Sequence, residues 1–136
     1  MILESEILLK EGDRQEALEV LRSVYYQVPH AISVVPIADQ ARSRLVRSEL
    51  EMQIGGAATA KAYLEGLDES WSPWDGVYRS SVYRLMGQIA EDDGRVEDAI
   101  LNYNRLLDLW QNCDLELLPI RDEIEVRRNA LVRVTG

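Results

Sequence analysis

The chain has 136 residues, 46% hydrophobic and 29% charged, and a formal net charge of −9. That length suits one domain able to bury about two-thirds of its unfolded surface. The acidic balance argues against nucleic acid and anionic membrane as partners, and no apolar run reaches the ~18 residues that would span a bilayer. Cys113, the single cysteine, cannot form an internal disulfide, which fits a reducing compartment and leads us to expect a cytoplasmic protein.

In chain order, Met1 to Glu11 reads as a first helix whose apolar pattern is already running at Ile2 and Leu3, with no cap before it. The expectation is either a piece cut from a longer protein or an unusually short first helix that begins at Met1. Asp13 to Val28 reads as a second helix, opened by a capping box of Asp13 and Glu16 and stopped by Pro29. His30 and Ala31 begin a connector, and Pro36 suits the first turn of a third helix running to about Ile54. A fourth follows from Ala57 to Leu67. The stretch Glu69 to Asp75 is an aromatic loop, because Pro73 disfavours helix there. The fifth helix runs from about Trp74 to Asp92 and the sixth from about Arg95 to Trp110. Asp114 is expected to cap a seventh, with apolar face Ile120, Ile124, Leu131 and Val134, and with Arg127, Arg128 and Arg133 toward its C-terminal end, where the dipole favours cations.

The stretch Tyr83 to Trp110 organises the rest. It reads as two amphipathic helices folded back across Gly94, a residue able to close a helix at positive φ. The pattern occurs three times. Ala17 and Leu21 stand after Gly12 as Ala60 and Leu64 stand after Gly55, and as Ala99 and Tyr103 stand after Gly94. Val28, Trp71 and Trp110 share a later offset, which makes the two tryptophans packing residues. Before the glycines, Leu3, Val46 and Leu85 share an offset, as do Ile7, Leu50 and Ile89, and the small residues Ser5, Ser48 and Gly87.

These residues resemble the tetratricopeptide repeat, with a small residue in the first helix, Ala in the second, a large apolar residue four on, and Pro at the end. Gly87, Ala99 and Tyr103 carry the likeness best. Departures are Ser5 and Ser48 for Gly, Glu51 for an aromatic, Gln111 for Pro, and glycines 43 and 39 residues apart where the family repeats every ~34. The resemblance implies an all-α fold: a right-handed α-solenoid of three hairpins (about 1–31, 36–72 and 74–111) and a capping helix (about 114–134). The segment from Tyr83 to Val134 is also similar to the C-terminal repeat tails of large bacterial Ser/Thr protein kinases and related signalling regulators.

The same resemblance implies a concave face that binds a peptide. Its expected residues are Arg42, Leu45, Glu49 and Met52 on the third helix and Arg84, Gln88 and Glu91 on the fifth, joined by Glu6, Leu9, Lys10 and Ser81. Ile2 and Glu6 stand where carboxylate-capturing members have Lys and Asn, so an acidic–apolar segment suits this face better than a chain terminus. Exposed Trp at a loop is also a contact candidate, and Trp74 stands in the aromatic loop with no equivalent in the other copies.

Catalytic chemistry finds little purchase. His30 has no second His and no Cys pair for a zinc site. Cys113 and His30 fall in the last and first repeats, and the adjacent acids Glu91, Asp92 and Asp93 lack the spacing of a calcium loop. Gly55-Gly56 lacks the following Lys-Ser/Thr of a phosphate loop. We therefore expect no enzyme, cofactor or metal, but a scaffold module for a protein or peptide partner. The alternative is an oligomerisation element, possible as a homodimer, pairing through Ile2, Leu3 and Ile7.

Overall fold

The structure, a computed structural model, describes residues 2–23, 35–69 and 76–135. Among these, seven α-helices and one 3-10 turn stand with no strand. They are α1 (Ile2–Glu11), α2 (Arg14–Ser23), α3 (Val35–Gln53), α4 (Ala57–Asp68), α5 (Arg79–Asp92), α6 (Val96–Leu109) and α7 (Leu118–Thr135), with the 3-10 turn Leu115–Leu117 ahead of α7. The chain is therefore all-α. It divides into two compact units, Met1–Tyr78 and Arg79–Gly136. In the first, α1 packs on α2, α3 on α4, and α2 adjoins α3. In the second, α5 packs on α6 and α6 on α7.

Each hairpin closes on the same backbone device. Gly12, Gly55 and Gly94 stand at φ of 93°, 88° and 72°, where any Cβ would be strained. The residue after each glycine donates its N–H five residues back: Asp13 to Leu8 at 2.9 Å, Gly56 to Glu51 at 2.6 Å and Arg95 to Ala90 at 2.7 Å. The glycines themselves donate to Leu9, Met52 and Glu91 at 3.3, 3.3 and 3.0 Å. This pair of bonds is the Schellman motif, which satisfies carbonyls left open at a helix end. The residue that completes it also opens the next helix. The carbonyls of Asp13, Gly56 and Arg95 accept from the N–H of Ala17, Ala60 and Ala99 at 3.0, 2.9 and 3.0 Å. One residue thus serves two helices, which sets the reversal at its shortest.

The repeated alanines are fully buried, because a methyl group lets the paired helices approach closely. Next to them Leu21, Leu64 and Tyr103 are buried to 1% exposure or less. In the first unit Ala17, Leu18, Leu21 and Leu50 form a core, with Leu8, Leu9 and Val46 packed against it. In the second, Ala90, Ala99, Tyr103, Leu106 and Ile124 do so, with Trp110 and Leu131 against them. Trp110 is thus a packing residue, whereas Trp71 and Val28 lie outside the described residues.

The small-residue position shows why the copies differ. A Cβ on Gly87 would strike the Tyr103 ring, with Cδ1 at 2.6 Å and Cζ at 3.0 Å. The other two copies pair Ser5 with Leu21 and Ser48 with Leu64 by offset. A smaller partner there leaves room for a serine, and both serines are buried. Gly for Ser is thus matched by Tyr for Leu.

Several expectations need correction. The expected fifth helix is broken by a turn at Val77 and Tyr78, so that α5 begins at Arg79 behind helical Gly76; the expected start at Trp74 and the expected end of the second helix at Val28 lie outside the described residues and stand untouched. Asp114 precedes a 3-10 turn and makes no side-chain cap, so α7 starts later, with Pro119 in its first turn, where its missing N–H costs nothing. On α7 only Ile124 is fully buried; Leu131 is partly so, while Ile120 and Val134 are 36% and 79% exposed. Arg127 and Arg128 do not serve the helix dipole: they reach Glu91 and Asn104 on neighbouring helices.

Replacing Gly87 by Ala should destabilise the chain by about 1–3 kcal/mol, because overpacking outweighs the gain in helix propensity. Gly87→Ser combined with Tyr103→Leu recreates the pairing of the other copies and should recover most of that loss. Urea unfolding of the variants checks both.

Candidate functional site

The sequence-expected face falls into two groups, one in each unit. In the first unit, Arg42, Leu45, Glu49 and Met52 lie along one stripe of α3, at intervals of three, four and three residues. Arg42 is exposed and its Nη1 lies 3.2 Å from Glu6 Oε1 on α1. The first helices of consecutive hairpins are therefore neighbours along this edge. Glu49 and Met52 are half-buried, whereas Leu45 is only 8% exposed and belongs to the packing. Glu6 and Leu9 are half-buried and Lys10 is exposed.

In the second unit Arg84, Gln88 and Glu91 share a stripe of α5, all half-buried, with Ser81 beside them. Glu91 is engaged from within. Its Oε2 accepts the Tyr103 hydroxyl at 2.7 Å and the Arg127 guanidinium at 3.0 Å. Arg127 also stands over the Tyr103 ring, 5.9 Å from its centre. Burial, reinforced by the hydrogen bond to Glu91, pushes the Tyr103 phenol far above its ordinary range, so it stays a donor. Of the three adjacent acids only Glu91 turns inward; Asp93 pairs with Arg95 at 3.1 Å and Asp92 is exposed. Among the described residues no group of His, Cys, Asp and Glu could hold a metal ion. Cys113 is a half-buried free thiol, and His30 and Trp74 lie outside the described residues.

The strongest polar cluster of the first unit is one that the expected site omits. The Glu51 carboxylate is 2% exposed and receives Arg22 from α2 in a fork, Nε to Oε1 at 2.9 Å and Nη2 to Oε2 at 2.7 Å. Arg47 Nε approaches at 3.8 Å. The Arg47 guanidinium stacks 4.4 Å from the centre of the Tyr63 ring, and its Nη1 donates to the Leu21 carbonyl at 3.3 Å. The Glu51 side chain folds back over its own turn: a Cβ on Gly56 would sit 2.6 Å from Oε2. Hydrogen bonding from Arg22, against the opposing cost of burial, holds the Glu51 carboxyl below its ordinary value of 4.5. A trace of this cluster is present in the sequence. Leu8 and Ala90 occupy the same offset from their glycines, so an acid there is out of pattern and demands a partner.

The sign of the pH dependence follows. A lowered folded pKa means that the stabilisation is fully present above pH 4.5 and is lost as pH falls through the folded value. Glu51→Gln should cost about 1–2 kcal/mol at neutral pH, less than for a wholly enclosed pair because the Arg22 side chain is 43% exposed. It should also flatten the acid limb of stability below pH 4.5. Urea unfolding from pH 7 to 3 measures both.

No helix among the described residues is long and apolar enough to cross a membrane. The chain matches no protein-family model, no curated protein and no solved structure.

Proposed function

We propose that the chain is a non-catalytic protein-interaction module in which three tetratricopeptide-like hairpins and a capping helix form a right-handed α-solenoid. On this reading it is part of a larger bacterial signalling or scaffold protein working in the cytoplasm. It takes an acidic–apolar peptide or protein segment on the face presented by its first helices. The observation that carries the reading is the ion pair between Arg42 on α3 and Glu6 on α1, which brings the first helices of two hairpins to one polar edge. Arg42 is exposed and held by one carboxylate, and an incoming acid would compete with Glu6 for it. Met52, on the same stripe, offers an adaptable apolar contact. Arg84, Gln88 and Glu91 are proposed as the corresponding contact of the second unit, taken by itself.

A second reading is self-association, and one observation favours it. Leu3 and Ile7 are 71% and 49% exposed on α1, while Leu50, the equivalent of Ile7, is 4% exposed on α3.

Panning a displayed peptide library on the intact chain should enrich segments that mix Asp or Glu with large apolar residues. Arg42→Glu together with Arg84→Glu should weaken a selected peptide at least ~tenfold, about 1.4 kcal/mol, without moving the thermal midpoint by more than a few degrees. Enrichment of basic sequences, or binding untouched by the double change, would reject the acidic-partner reading.

A further inference from the structure

The face proposed for an acidic segment holds an acid of its own, Glu91, on the α5 stripe with Gln88. A bare carboxylate there would repel the ligand, and the chain's net charge of −9 adds to that repulsion. The second unit answers it from α7. Arg127 Nη2 lies 3.0 Å from Glu91 Oε2, with the two side chains 31% and 29% exposed. The Tyr103 hydroxyl of α6 donates to the same oxygen at 2.7 Å. The charge is thus neutralised, and the carboxylate is fixed by donors from two other helices. Both bonds fall on Oε2. Among the described residues Oε1 accepts none, although an ionised carboxylate has about four acceptor sites. Gln88, one turn earlier on the stripe, is half-buried, and its amide both donates and accepts.

An acceptor whose charge is already cancelled, beside an amide, suits the main chain of an extended segment, which presents N–H and C=O groups along each edge. We propose that Glu91 and Gln88 recognise the main chain of the bound segment, Glu91 Oε1 accepting an N–H and the Gln88 amide donating to a C=O. Arg127 is the positioning residue that makes Glu91 compatible with an acidic ligand; it touches Glu91 and not the segment. The proposal deepens the acidic-partner reading for the second unit, taken by itself, and rests on it. It gives that unit a different task from Arg42, which meets side-chain charge. Removing the Arg127 charge uncovers the Glu91 carboxylate, and the resulting repulsion is strongest at low salt.

The test uses the full chain and an acidic peptide selected by the panning above, with binding followed by fluorescence anisotropy. Arg127→Gln should weaken the peptide about fivefold at low salt and less at high salt. Arg127→Lys keeps the charge and should bind as the parent does. Adding Glu91→Gln to Arg127→Gln removes the carboxylate but keeps an acceptor oxygen, and should restore binding to within about twofold of the parent. A loss caused merely by a loosened α7 would not be restored in this way. Methylating the peptide's main-chain nitrogens one at a time should cost about tenfold at one position, and less than about twofold there once Glu91→Met has removed the acceptor. Arg127→Gln binding as tightly as the parent, a double variant as weak as the single, or a peptide with no methylation-sensitive nitrogen overturns the inference while the acidic-partner reading stands on Arg42. A library that yields no acidic peptide overturns both.

Discussion

Everything in this structure hangs from two backbone hydrogen bonds that close a helix across a glycine at positive φ. The pair is the same at Gly12, Gly55 and Gly94. Because the next residue also accepts the first bond of the following helix, the chain has no slack at the reversal. The two helices are held at a fixed phase: the alanine five residues past each glycine is fully buried, and in the third hairpin Tyr103 packs on the small residue Gly87 of the first helix. Side-chain caps are not needed. The shared residue is Asp, Gly or Arg in the three turns, and neither Gly56 nor Arg95 makes a side-chain cap.

Each unit then uses an arginine to bring a further element against its hairpin. In the first, Arg22 of α2 forks onto Glu51 near the end of α3. In the second, Arg127 of α7 reaches Glu91 near the end of α5. Both acids sit within four residues of a turn glycine, where the helix end is most constrained. A planar fork on a fixed carboxylate sets orientation as well as distance, which apolar contact alone does not. The cost of burying Glu51 is offset because each of its oxygens accepts a bond from Arg22, with Arg47 close by, and loss of its charge would leave Arg22 and Arg47 facing each other.

These arrangements leave the first helices with two kinds of surface. The edge at Glu6 and Arg42 is polar and its charges are lightly held, which suits exchange of one carboxylate for another. The outer side of α1 is apolar, flanked by opposite charges, and repeats positions that are packed on α3.

Much of the architecture was legible from spacing alone. Among the described residues, the offsets around three glycines located both sides of each turn, from α1 into α2, α3 into α4 and α5 into α6, to within a residue or two, and picked out Ala17, Ala60 and Ala99 as buried positions. They did so because helix closure and close packing are local, periodic demands. The start of α7 was misplaced, because a cap residue followed by Pro119 also fits a 3-10 turn, and nothing local distinguishes the two. The roles of Glu51, Glu91, Arg22 and Arg127 were decided only by tertiary structure. Whether a charged side chain faces water or a partner depends on what lies opposite, 29 residues away for Arg22 and Glu51 and 36 for Glu91 and Arg127, and no periodicity reports that. Sequence by itself determined where the chain turns and which faces are apolar; three-dimensional packing determined which of those faces are closed by an ion pair and which remain open.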